Sequence, residues 1–157
     1  MSVIALVGDF GRPGFSCRTR YYGGIFINPE YENGHSLAET IIHEHLHLKL
    51  WLWWTFEPVA AQAALEVEID SPVTGRRRQV GAMLQAYLIY AQCIEFYAWA
   101  VRDGGFGDIA WPRARLNGLT ERAPILGDAL SDVLSKEKTA TRMIGAINDG
   151  MQPYRMA

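Results

Sequence analysis

Four histidines, His35, His43, His45 and His47, fall within thirteen residues of a 157-residue chain that has no others. Three of them form the run His43-Glu44-His45-Leu46-His47. On a helix, His43 and His47 lie one turn apart on the same face, so both can aim an imidazole nitrogen at one cation. Glu44 stands beside them, within reach of a water on that cation, where a carboxylate serves as general base or proton relay. His45 points away from the pair and reads as a hydrogen-bonded or surface group, and His35 reads as a loop histidine ahead of the helix. The competing reading is that the histidines are simply buried and bind no metal.

Two imidazoles do not complete a metal centre. Hydrolytic zinc and oxygen-activating iron both take a third protein ligand and keep positions open. No histidine follows His47, which excludes a third-histidine pattern and leaves a carboxylate or an amide. Glu95 is the first candidate and Gln85 the second, with Glu66, Glu68 and Asp70 behind them. Gln85, Gln92 and Glu95 form a polar stripe on an otherwise apolar segment, and a carboxylate buried there needs a cation, which an arginine could also supply.

The elements that must position these residues are legible in outline. Ser36-Leu37-Ala38-Glu39 has the form of a capping box, predicting a helix from Ser36 to about Phe56, ahead of Pro58. Apolar residues surround its axis from Leu37 to Trp54, which predicts burial on most sides, with the histidines inside the protein. A second long helix is expected from about Arg78 to Arg102, ended by Asp103-Gly104-Gly105. Shorter helices are expected over Val59–Leu65, Ile125–Lys136 and Thr139–Ile147. Val3–Val7, closed by Gly8-Asp9, and Gly24–Asn28, closed by Pro29, read as strands, and the alternation over Glu66–Asp70 reads as a half-buried strand. The loop Gly11–Arg20 is not assigned. The expected fold is α+β: a small N-terminal sheet packed on a mostly helical domain, with a buried HExxH helix and a long antiparallel partner helix, residues 1–157 forming a single metalloenzyme domain.

Composition narrows the function. With 49% apolar and 20% charged residues and a net charge of −2, the chain has an ordinary globular composition. Its one concentration of positive charge, Arg76-Arg77-Arg78, is too short to track phosphates, so nucleic acid is not an expected partner. Met83 to Val101 approaches membrane-spanning length but carries Gln85, Gln92 and Glu95, and a buried helix is the better reading. The N-terminus lacks the basic region of a secretion signal. Cys17 and Cys93 show no CxxC spacing, so a reduced, cytoplasmic protein is expected.

The motif region, Leu37-Ala38-Glu39-Thr40-Ile41-Ile42-His43 through Leu48-Lys49-Leu50, resembles that of the HExxH domain proteins of bacterial peptide-modification clusters. In that family Leu-Ala-Glu precedes the motif and Leu-Lys-Leu follows it. Arg78 through Gly81-Ala82-Met83-Leu84-Gln85-Ala86 to Glu95-Phe96-Tyr97 is similar to the family's Arg-Pro-x-Gly-Gly-Leu-Leu-(Gln or His)-Gly stretch ending in Asp-Phe-Trp, with Gln79 in place of proline and Ala86 in place of glycine. Leu119-Thr120 resembles its Leu-Thr-Pro-Ala-Gly turn. The resemblance implies an Fe(II)- and 2-oxoglutarate-dependent peptide β-hydroxylase. It makes His43 and His47 iron ligands, has Gln85 or Glu95 complete or border the ligand set, and offers Arg78 to the 2-oxoglutarate carboxylate.

Three functions are therefore carried forward. The first is an Fe(II)/2-oxoglutarate oxygenase hydroxylating a peptide or related small molecule. The second is a Zn(II) hydrolase of gluzincin type, a peptidase or amidase with Glu44 as general base. The third is a non-enzymatic metal domain that recognises a peptide through Trp51, Trp53, Trp54, Tyr87, Tyr90 and Trp99. Expected partners are a substrate of that kind and, as one arrangement, a second copy of the chain in a homodimer.

Overall fold

The computed structural model describes residues 3–6, 14–17, 24–27, 34–104 and 108–154. Gly8, Asp9, Asn28, Pro29, Gly105 and the ends of the loop Gly11–Arg20 lie outside them. The fold is α+β, and the chain forms two compact units, Met1–Glu57 and Pro58–Ala157.

The first unit contains three short strands, β1 (Val3–Leu6), β2 (Gly14–Cys17) and β3 (Gly24–Ile27), followed by α1 (Gly34–Phe56). β3 is central, parallel to β1 (Val3↔Gly24) and antiparallel to β2 (Gly14↔Ile27). β2 comes from the loop that the sequence left unassigned. Ile25 and Ile27, two apart on one face of the sheet, are buried with Leu48 of α1, and Leu37 and Ile41 pack against them. α1 thus sits on the sheet through one row of side chains. It begins at Gly34, two residues before Ser36, so Ser36 lies inside the first turn and not at the cap. His35 is correspondingly a buried first-turn residue, not a loop residue.

The expectation that α1 is buried on most sides holds except along one strip: Leu46 and Leu50 are buried on the side away from Leu48, and the histidine side is half-buried. The buried residues of α1 are His35, Glu44, Leu46, Leu48 and Leu50, while His45, Lys49, Leu52, Trp53 and Phe56 form an exposed strip along one side. The lengths explain this: 23 residues of helix run about 34 Å, whereas a four-residue strand spans about 13 Å.

In the second unit, α2 (Gln62–Glu66) leads into a hairpin of β4 (Glu68–Asp70) and β5 (Arg77–Gln79). Gly75, at φ +65°, makes the turn in the left-handed region where a side chain would be strained. Long helices α3 (Val80–Asp103) and α4 (Ala110–Val133) and the shorter α5 (Lys138–Met151) complete it, followed by a 3-10 turn at Gln152–Tyr154. α3 starts at Val80, not Arg78, because Arg77–Gln79 pair with the alternating strand: Ile69 faces Arg78 and Asp70 faces Arg77. It ends as expected at Gly104, left-handed at φ +62°, whose N–H donates to the Ala100 carbonyl.

α3 packs chiefly on α4. Tyr87 and Tyr97 are fully buried, Tyr97 against the Trp111 ring at 5.6 Å, and the Tyr87 hydroxyl donates to Asn148 Oδ1 of α5 at 2.8 Å. Gly127 makes the α3–α4 approach possible, since a Cβ there would lie 3.0 Å from the Tyr87 hydroxyl oxygen. The expectation of a turn at Leu119-Thr120 and a helix only from Ile125 is corrected: α4 runs unbroken through Gly118 and Pro124. An interior proline costs about 3 kcal/mol. Burying Leu119, Leu126 and Leu130 returns about 1.5–3 kcal/mol each, so tertiary packing outweighs the local breaker.

Candidate metal centre

His43 and His47 converge as the four-residue spacing requires. Their Nε2 atoms are 3.0 Å apart, with ring centroids at 4.7 Å and planes at 70°. With no ion between them, this contact is an N–H···N hydrogen bond. With an ion, both lone pairs address one point. Nitrogens 3.0 Å apart, each about 2.0–2.1 Å from a shared ion, subtend roughly 90–97°, closer to the right angle of a six-coordinate site than to a tetrahedral angle. The pair would thus serve as two adjacent ligands of a divalent transition metal, with no third ligand beside them among the described residues.

The histidine pair occupies the side of α1 opposite the exposed strip of His45, Lys49, Leu52 and Phe56, as the helical register demands. His45 is exposed, as expected of a residue pointing away from the pair. Glu44 lies between the pair and the sheet-facing row of Leu37, Ile41 and Leu48. It is only 9% exposed, and among the described residues it has neither a cation nor a hydrogen-bond donor. Its carboxylate oxygens are not among the buried polar atoms left without a partner, so they keep contact with solvent, where water on a neighbouring cation could meet them. Trp51 and Trp54 continue the histidine side of α1 toward its C-terminus.

The other predicted site residues belong to the second unit. Glu95 is not a buried carboxylate: it is exposed and accepts a 3.4 Å hydrogen bond from Gln92 Nε2, itself exposed. The stripe lies at the surface because the core side of α3 is taken by Met83, Leu84, Tyr87, Ile94 and Tyr97. Gln85 is half-buried. Glu66, Glu68 and Asp70 are exposed, Glu68 lying 3.5 Å from Arg77. Arg78 is exposed on β5. Among the described residues, no group of three or more His, Cys, Asp or Glu side chains comes together to hold an ion.

At the end of α3, the hydrogen bond from Arg102 at 2.8 Å holds the Asp103 carboxyl below its ordinary range and raises the guanidinium in turn. Both groups are exposed, where such a pair contributes little. A surface groove at the α4–α5 junction is lined by Ser135, Lys138, Thr141 and Arg142, none of them a predicted ligand.

Sequence reasoning singled out Trp54 only as one of several aromatics. Its distinguishing property, a buried indole N–H with no acceptor among the described residues, has no signature in the sequence. No family model matches this chain, and no curated protein matches it. No helix of the described residues is long and apolar enough to cross a membrane.

Proposed function

We propose that this chain is an Fe(II)- and 2-oxoglutarate-dependent oxygenase that hydroxylates a peptide or related small molecule, with the ion held by His43 and His47. The carrying observation is the convergence of their Nε2 atoms to 3.0 Å, a separation that would subtend a near-right angle at a shared ion. The similarity of the residues around the motif and along 78–97 to the HExxH domain proteins adds the cosubstrate. Bound iron and 2-oxoglutarate supply the oxidising power for hydroxylation. The chain's own contribution is to fix two cis positions on one rigid helix and to keep the Glu44 carboxylate beside them as a proton acceptor. The family resemblance would assign the cosubstrate carboxylate to Arg78, whose planar guanidinium fork suits it, and the remaining ligand to Gln85 or Glu95, all three of them residues of the second unit. A cytoplasmic location belongs to this proposal, supported by Cys93, a free buried thiol.

A second reading, a Zn(II) hydrolase, is favoured by Glu44 itself, because a carboxylate beside the histidine pair with no cation or donor on it among the described residues is available to act as a general base. The deciding experiment is anaerobic purification with elemental analysis, followed by addition of 2-oxoglutarate and O₂. Fe(II)-dependent succinate formation is expected, and Arg78→Ala should raise the 2-oxoglutarate concentration required while leaving metal content unchanged. No succinate, together with Zn(II)-dependent peptide hydrolysis that Glu44→Gln eliminates, overturns the oxygenase in favour of the hydrolase.

A further inference from the structure

The junction of α4 with α5 and the adjoining side of α5 form a surface groove of about 490 Å³, lined by Ser135, Lys138, Thr141 and Arg142. Lys138 and Arg142 stand one turn apart on the same side of α5, and neither has an ion-pair or hydrogen-bond partner among the described residues. Like charges at this spacing repel, by about 0.2–0.5 kcal/mol in an isolated helix. The first turn of α5 carries no acid to offset them. The nearest carboxylate in the chain, that of Glu137, is drawn away and accepts from the Ala61 N–H at 3.1 Å. Two positive charges are thus held side by side in one concavity, with no counter-charge among the described residues.

The two hydroxyls of the groove differ in what they can offer. That of Thr141 is tied to the Leu134 and Glu137 carbonyls, at 3.2 and 3.1 Å, which fixes one wall and commits its proton. That of Ser135 has no partner among the described residues and remains a donor. Lys138, Arg142 and Ser135 therefore supply two positive charges and three donor groups. These match the charge of about −1.5 to −2 and the three acceptor oxygens of a phosphate monoester, whereas a carboxylate brings one charge and two oxygens. The volume lies within the roughly 300–1,000 Å³ of small-molecule sites, which leaves room for the organic part of an ester. We infer that this groove binds a phosphate group, carried by a small phosphate monoester or by inorganic phosphate. The inference is independent of the metal reading, because every lining residue belongs to the second unit.

The test titrates the whole chain, without added metal and in about 0.15 M NaCl to screen unspecific attraction, with glucose 6-phosphate, inorganic phosphate, glucose and succinate, following the backbone ¹⁵N–¹H signals. The expected result is a shift of the signals of residues 135–142 with the two phosphates and none with glucose or succinate. Arg142→Gln and Lys138→Gln should each weaken phosphate binding about 10-fold, through loss of a charge-assisted hydrogen bond. Arg142→Lys should weaken it less, and His43→Ala not at all. Tighter binding of glucose 6-phosphate than of inorganic phosphate assigns the groove to a monoester, and equal binding assigns it to free phosphate. Signals of 135–142 that stay still in the wild type overturn the inference. So does equal binding of succinate, undiminished binding by both glutamine variants, or loss of binding in His43→Ala, which would place the phosphate at the histidine pair. If a variant does not fold, the wild-type titration still decides.

Discussion

α1 and α3 are nearly equal in length, at 23 and 24 residues, and both read as apolar helices, yet they are used differently. α3 spends its apolar residues on a core: Val80, Met83, Leu84, Tyr87, Ile94 and Tyr97 are essentially inaccessible, and its polar residues are left at the surface. α1 has a sheet of three four-residue strands to pack on, and its buried cluster is small, Ile25, Ile27 and Leu48 with Leu37 and Ile41 beside them. Its remaining sides carry a pair of converging imidazoles, the Glu44 carboxylate, the buried Leu46 and Leu50 and an exposed strip. The comparison teaches that apolar content does not by itself assign a helix to a core. The helix with the smaller core in its own unit is the one that holds the histidine pair, and it is the one whose stability a bound ion would most affect.

Metal binding separates the two units most sharply. His43→Ala and His47→Ala should each abolish stoichiometric metal in elemental analysis, whereas His45→Ala, on the exposed side, should retain it. Metal retained by the first two variants would mean that the pair is an ordinary imidazole contact and that α1 differs from α3 only in packing.

Glu44→Gln is expected to have the next largest effect. It keeps the shape and removes the base. Under the hydrolytic reading, turnover falls by about 10²–10⁴ with metal content unchanged. Under the oxygenase reading, 2-oxoglutarate turnover survives at a substantial level, uncoupled from substrate hydroxylation.

Ligand linkage sharpens the contrast in stability. Metal at 100 to 1,000 times its dissociation constant should stabilise the state that holds it by about 2.7–4.1 kcal/mol. Hydrogen exchange should show the added protection over 34–56 and little change over 80–133. Equal protection in both segments would show that the two units open as one.

The smallest expected effect probes the other side of the comparison. Gly127→Ala places a methyl about 3.0 Å from the Tyr87 hydroxyl oxygen, and the overpacked α3–α4 contact should lose about 1–3 kcal/mol in chemical denaturation. Metal affinity should not change. A drop in affinity would tie the histidine pair to the packing of the second unit.

Much of the candidate site was legible because it is local. Four residues of helix bring His43 and His47 together whatever surrounds them, and the glycine signal placed the end of α3 at Gly104. The sequence by itself therefore determined the convergent imidazole pair, the carboxylate next to it and two of the three long helices, α1 and α3. Other features depend on partners distant in the chain. Arg78 was drawn into a strand by Ile69 across a hairpin, and Glu95 was left at the surface because α3 turns its other side to α4. Only the tertiary structure decided the β1-β3-β2 order, the continuation of α4 through Pro124, the exposed strip of α1 and the burial of the Trp54 indole N–H. Periodicity and capping are properties of a few consecutive residues. Burial, by contrast, is set by what the rest of the chain brings alongside, and its free energy exceeds the local preferences that the sequence displays.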